Sequence, residues 1–373
     1  MLNNPLLLKT GKYEELESIR GIAALLVVFE HIPNWNSSFF NISIFRNGYL
    51  MVELFFVLSG FVIYNAYANS IKTSKDLLRF QFLRFGRLYP VHLMLLLIFL
   101  GVEYLKYILS TQYGINSPNS TPFVINNASA FTAHLLLAQA LGITDHVGSF
   151  NSPSWSISTE FYTYLLFAFI ILNLYKWRVA AFVVVLLVSY IFIQIPELSR
   201  FSYVLTCLLG FSSGCLISVL ISKQKFQLPS FTPLIPIIAL LIFLSRYPVF
   251  QLYPLIFIIS GALIFTLVRS KDGFVKKSLR LGIFKQLGEI SYSIYMSHFL
   301  ILWIANQFIR LVLKRPEAVI NGESFPQLAV TETIMAYIIV IIVTLLTSMF
   351  IYKFIEKPFR VRSRDFAFHK MSK

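Results

Sequence analysis

Residues 17–32 read ESIRGIAALLVVFEHI, an apolar run that opens near Arg20 and closes on His31. No proline interrupts it, and small and branched apolar residues fill its middle. The run predicts a helix. Eleven residues make three helical turns, so Arg20 and His31 share a face about 16 Å apart along the axis. An arginine and a histidine are costly inside hydrocarbon and mark function when they occur there. The alternative keeps Arg20 as an interface anchor and His31 as the polar end of the run.

The rest of the 373-residue chain follows the same pattern. Hydrophobic residues make up 57% and charged residues 13%, half the charged share of a soluble domain. Apolar segments lie near 17–33, 49–69, 89–109, 156–173, 179–195, 202–222, 232–247, 249–268, 290–310 and 334–354. Most approach the roughly 20 residues that cross a bilayer. Pro233 and Pro236 make the 232–247 segment the weakest of them. The fold expected is all-α, a polytopic transmembrane helix bundle in one domain over 1–373. Residues 1–18 lack the basic start and apolar core of a cleavable signal, so the first span is expected to direct insertion.

A net charge of +15 invites a nucleic-acid reading, but the basic residues sit in short loops between apolar runs. That is the positive-inside pattern. Loop 70–88 carries Lys72, Lys75, Arg79, Arg84 and Arg87, and loop 269–288 carries Arg269, Lys271, Lys276, Lys277, Arg280 and Lys285. Segment 131–143, FTAHLLLAQALGI, is too short to span. Counted as a crossing it inverts the loops downstream. Treated as re-entrant or interfacial, it leaves ten crossings with both termini cytoplasmic. Of 32 Lys and Arg, only Arg46, Lys106, Arg200, Arg246, Arg310, Lys314 and Arg315 then fall outside. No nucleic-acid partner is expected. Cys207 and Cys215, eight apart in one apolar run, read as packing residues, and no metal-ligand spacing occurs.

This orientation sorts the polar residues by depth. Arg20 lies near the inner face, and His31, Glu53 and Glu160 lie in the outer half on three helices. His31 titrates near neutral pH and suits a general base. Glu160 is expected to orient the imidazole or steady its cation, or else to be an acid at a helix N-terminus. Glu53 has the same alternative. Arg84 and Arg87, three apart, fit either a phosphate clamp or ordinary cytoplasmic anchoring. Ser156 lies one turn before Glu160. Ser291, Tyr295 and His298 share a face, with His298 either facing the site or packed. Tyr162 is an outer tyrosine that offers a ring to a sugar.

Six blocks resemble the acyltransferase-3 family of integral-membrane acyltransferases. The first is the Arg20/His31 helix; the second is GYLMVELFFVLSGFVI (48–63), with Glu53 at an acidic position. The third is FLRFGRLYP (82–90), with Arg84 and Arg87, and the fourth SWSISTEFYTYLLF (154–167), with Glu160. GEISYSIYMSHF (288–299) and IEKPFR (355–360) complete the set. The resemblance implies acyl transfer, usually acetyl, from cytosolic acyl-CoA to a hydroxyl of an extracytoplasmic glycan or lipid-linked sugar. It implies His31 as general base and Glu160 in support. Arg84 and Arg87 would sit on the CoA phosphates, and Arg20 would line the donor path. Glu53, Ser156, Tyr162, Tyr295 and His298 would contact substrate or the groups around it.

No permanently bound cofactor or metal is implied. The expected setting is the bacterial inner membrane, in contact with lipid. Many relatives carry a C-terminal esterase-like domain; this sequence ends after the last span, so a stand-alone form or a separate periplasmic partner is expected. The competing class is a proton-coupled secondary transporter, which also buries ionisable groups. No inverted repeat is apparent in the sequence.

Overall fold

The computed structural model describes residues 13–246 and 253–369, and these are mostly helical. Each of the ten apolar segments holds a helix. They are α1 (Glu14–His31), α2 (Met51–Tyr67), α3 (Ser74–Tyr113), α5 (Trp155–Asn173), α6 (Arg178–Phe192), α7 (Ser202–Lys223), α8 (Leu234–Arg246), α9 (Leu255–Arg269), α11 (Ser291–Leu311) and α12 (Val330–Ile351). Short helices α4 (Ala128–Leu135) and α10 (Gly282–Glu289) lie between them. A π-helical turn, Tyr352–Glu356, joins α12 to α13 (Lys357–His369). By length and composition, five helical stretches are able to cross a membrane: Ser43–Tyr67, Ser74–Tyr113, Ser152–Asn173, Pro196–Lys223 and Val330–Phe368. α6, α8 and α9 are apolar but shorter. α1 falls outside that group and carries Glu14, Glu15, Glu17, Arg20 and Glu30.

Two local features depart from the expected pattern, the extent of α3 and a β-hairpin. Most of the basic loop 70–88 is helix, because α3 begins at Ser74 and runs unbroken for 40 residues. Thr73 and Asp76 form a reciprocal capping box at its start, with hydrogen bonds of 3.2 and 3.0 Å. Gly114, at φ +65°, ends it in the left-handed conformation. Pro90 lies inside α3 without ending it. Segment 131–143 is helical only over 131–135, the end of the eight-residue α4, in keeping with a piece too short to span a bilayer. A β-hairpin, Glu317–Ile320 paired antiparallel with Glu323–Pro326, also forms where no strand was expected.

The core lies between α2, α3, α5, α6 and α7, where Phe56, Phe61, Phe80, Phe167, Phe182 and Phe211 are buried. α2 and α7 approach backbone to backbone. A Cβ on Gly60 would lie 2.0 Å from the Phe211 carbonyl oxygen, and one on Gly214 would lie 2.0 Å from that of Val57. Small residues allow such contact where no water is present to drive helices together. α1 meets α10 in the same way: a Cβ on Gly21 would stand 2.6 Å from the Gly288 nitrogen. That contact sets the position of the neighbouring Arg20.

Candidate active site

Two joined cavities and one histidine pair line up along α1 and α11. The deeper cavity, about 80 Å³, is lined by Arg20 of α1, Arg87 of α3, Ser156 and Glu160 of α5, and Tyr292 and Tyr295 of α11. A wider cleft of about 290 Å³ shares Arg20, Arg87, Ser291 and Tyr292 with it. This cleft continues past Glu17 and Glu356 to Arg360. The two together lead inward from the end of the molecule where α1 begins and α13 follows α12.

The deep cavity is held by a hydrogen-bonded wall. The Tyr164 hydroxyl donates to Glu160 Oε1 at 2.6 Å, so Ser59, 2.9 Å away, donates to Tyr164. Ser156 Oγ donates to the Tyr295 hydroxyl (2.8 Å), which donates to the Pro153 carbonyl (2.8 Å). Ser156 and Tyr295 both line the cavity, so this link forms part of its wall. One turn further along α11 stands His298.

His31 adjoins His298 from α1. Its ring meets the His298 ring edge to face, with centroids 4.9 Å apart. His31 Nδ1 is 3.0 Å from the Val27 carbonyl oxygen and 2.5 Å from Glu30 Oε2. A carbonyl only accepts, so Nδ1 carries the proton and Nε2 keeps a lone pair. His298 is fully buried and repeats the arrangement, with Nδ1 3.2 Å from the Ile294 carbonyl oxygen and Nε2 without a protein partner. The His31 side chain is 25% exposed. Polar contacts close over this end of α1. Trp35 Nε1 donates to Asn306 (2.9 Å), Asn36 Nδ2 to the Leu328 carbonyl (3.0 Å), and Arg46 to the Phe29 carbonyl (3.0 Å).

The structure divides the expected site residues into groups. Arg20, Arg87, Glu160, Ser156 and Tyr295 meet at the deep cavity. Glu160 is bonded to Tyr164 beside the arginines, and the carboxylate at His31 is that of Glu30. Arg84 does not line either cavity. It donates to the Tyr67 hydroxyl at 3.1 Å and packs against the rings of Tyr67, Phe80 and Tyr164. Glu53 is buried on another face of α2, accepting from Tyr253 at 2.6 Å. Tyr162 turns away from the cavities and donates to the Leu136 carbonyl at 2.9 Å, tying α5 to the end of α4. Among the described residues no group of three His, Cys, Asp or Glu is arranged to hold a metal.

Sequence reading alone does not single out Glu30, Tyr164, Tyr292, Glu356 or Arg360. Glu30 adjoins His31, and Glu356 and Arg360 fall in the IEKPFR block, so a signal was present for three of them. The tyrosines are two among 19.

Comparison with known proteins points the same way as this arrangement. The chain is 26% identical over 324 residues to Acyltransferase MdmB of Streptomyces mycarofaciens, covering 77% of this chain and 78% of that protein. It is 32% identical over 154 residues to Protein 2 in picA locus of Rhizobium radiobacter, covering 39% of this chain and 75% of that protein. No solved structure matches it. The family model described as the acyltransferase domain matches residues 13–353, nearly the whole chain, and the chain therefore belongs to the acyltransferase-3 family.

Proposed function

We propose that the protein is a membrane O-acyltransferase that moves a small acyl group, acetyl above all, from cytosolic acyl-CoA to a hydroxyl of an extracytoplasmic glycan or lipid-linked sugar. The observation that carries this reading is the order of groups along α1 and α11. Arginines line a cleft at one end, the hydrogen-bonded Ser156–Tyr295 pair follows, and a histidine pair stands next along α11. A polyanionic donor and a neutral hydroxyl acceptor call for unlike ends of this kind. The name of the Streptomyces relative supports acyl transfer. The loop charges support ten crossings with both termini inside, and the setting proposed is a bacterial inner membrane.

The chemistry follows from the tautomer. His31 Nε2 takes the proton of the attacking hydroxyl. The oxygen forms its bond to the thioester carbonyl carbon, the C–S bond breaks, and the imidazolium returns a proton to the departing thiolate. Glu30, at 2.5 Å, steadies the cation between these steps. Arg20 and Arg87 hold the donor from the inner side, and Glu160, held by Tyr164, lines the same cavity as the two arginines. The Tyr295–Ser156 link opens to admit the thioester. A separate periplasmic protein is a candidate for passing the product onward.

Inside-out membrane vesicles supplied with acetyl-CoA labelled in its acetyl group test this. The expected result is label covalently bound to extracted glycan or lipid-linked sugar. Transport of a solute with no bound label would instead support a transporter.

A further inference from the structure

Arg360 has no part in the reading above, yet it lines the same cleft as Arg20 and Arg87. Its position depends on a local irregularity. The π turn Tyr352–Glu356 fits an extra residue into the helix and shifts the register of everything after it. Glu356, 2% exposed, is anchored by the Ser293 hydroxyl at 2.7 Å and lines the cleft with the three arginines. Arg360 follows four residues later on the same face, its guanidinium 6.0 Å over the Tyr352 ring. Unlike Arg84, which is held among three aromatic rings, Arg360 is exposed at the cleft mouth. Tyr13 and Tyr352 add two aromatic rings to the lining. Glu17 and Glu289 line the cleft as well, and each already has an interaction partner.

We infer that this cleft is the nucleotide end of the donor site: Arg360 and Arg87 take phosphates of CoA, and the Tyr352 ring offers a face to its purine. Guanidinium forks match phosphate oxygens, and π-helical turns inside α-helices gather at functional sites. The inference rests on acyl-CoA being the donor. It replaces Arg84 by Arg360 as the partner of Arg87.

Binding to the purified full chain in lipid nanodiscs tests it, using CoA and pantetheine as probes, for the unaltered protein, Arg360→Ala and Lys357→Ala. Lys357 is exposed on the same helix and is absent from the cleft lining, so it controls for a general loss of positive charge. Arg360→Ala is expected to weaken CoA about tenfold or more while leaving pantetheine, which has no phosphate, unchanged. Lys357→Ala is expected to leave both unchanged. Equal affinities for CoA in the unaltered protein and Arg360→Ala would overturn the inference, as would an equal loss for both probes. Failure of the unaltered protein to bind CoA at all would overturn the donor assignment beneath it.

Discussion

The rings of His31 and His298 stand 4.9 Å apart at 69°, joining α1 to α11 one turn along from the Ser156–Tyr295 link. Each Nδ1 is committed to a carbonyl four residues earlier on its own helix, so each ring keeps its lone pair on Nε2. Two ring nitrogens with free lone pairs are thereby held at one end of a line whose other end is lined with arginines.

Glu30 rather than Glu160 is the acid at His31. Glu30→Gln is expected to lower acyl transfer about 10- to 100-fold, the order associated with loss of a charge-assisted partner. In a His31→Ala background the same change is expected to cost nothing further, because the two groups act as a unit. Transfer of labelled acetyl in membranes measures both. Additive losses would separate Glu30 from the imidazole.

The Tyr295 hydroxyl bridges Ser156 and Pro153 at the wall of the deep cavity. Tyr295→Phe removes that bridge while Ser156 keeps the Pro153 carbonyl at 3.2 Å. About 1 kcal/mol of stability is expected to be lost. Release of thiol from acetyl-CoA without acceptor is expected to rise several-fold if this link gates the donor. Unchanged acceptor-independent release would show that the link does not gate the donor.

Gly60 and Gly214 set the closest helix contact. Gly60→Ala places a methyl group 2.0 Å from a backbone oxygen, which no side-chain movement relieves. A cost of about 1–3 kcal/mol or more is expected. It would appear as a lower melting temperature in detergent. Gly101→Ala, whose added Cβ meets nothing within 4 Å, serves as the control. Equal melting of the two variants would contradict the packing described for α2 and α7.

Arg280 donates to both oxygens of Asp272, at 3.0 Å each, and holds this exposed carboxyl below its ordinary value of 3.8. A depressed carboxylate stabilises the folded state above its unfolded pKa, and the gain is lost as pH falls through the folded value. Melting temperature is therefore expected to drop on acidification below about pH 4, with a shallower drop in Asp272→Asn. Identical acid limbs for both proteins would remove this pair from the account. Its exposure keeps the effect small.

Hydropathy made the helices legible, since each of the ten apolar runs holds one. It did not show that α3 would absorb the basic loop before it, because Lys75, Asp76, Arg79, Arg84 and Arg87 break up the apolar run there. Spacing correctly placed Arg20 and His31 on one helix but could not show what each would meet. Arg20 finds Arg87 and Glu160, while His31 finds Glu30 and His298. Such partners depend on how helices distant in sequence rotate against one another. The same reason hid Tyr164, which is fixed by Ser59 and Glu160 from two helices. It also hid the separation of Arg84 from Arg87, which three-residue spacing had put together.

The most direct test of the account is transfer of labelled acetyl from acetyl-CoA to extracted glycan or lipid-linked sugar by membranes holding equal amounts of the unaltered protein or His31→Ala. The variant is expected to lose at least about 100-fold of the rate while still inserting normally. An unchanged rate in His31→Ala would contradict the account.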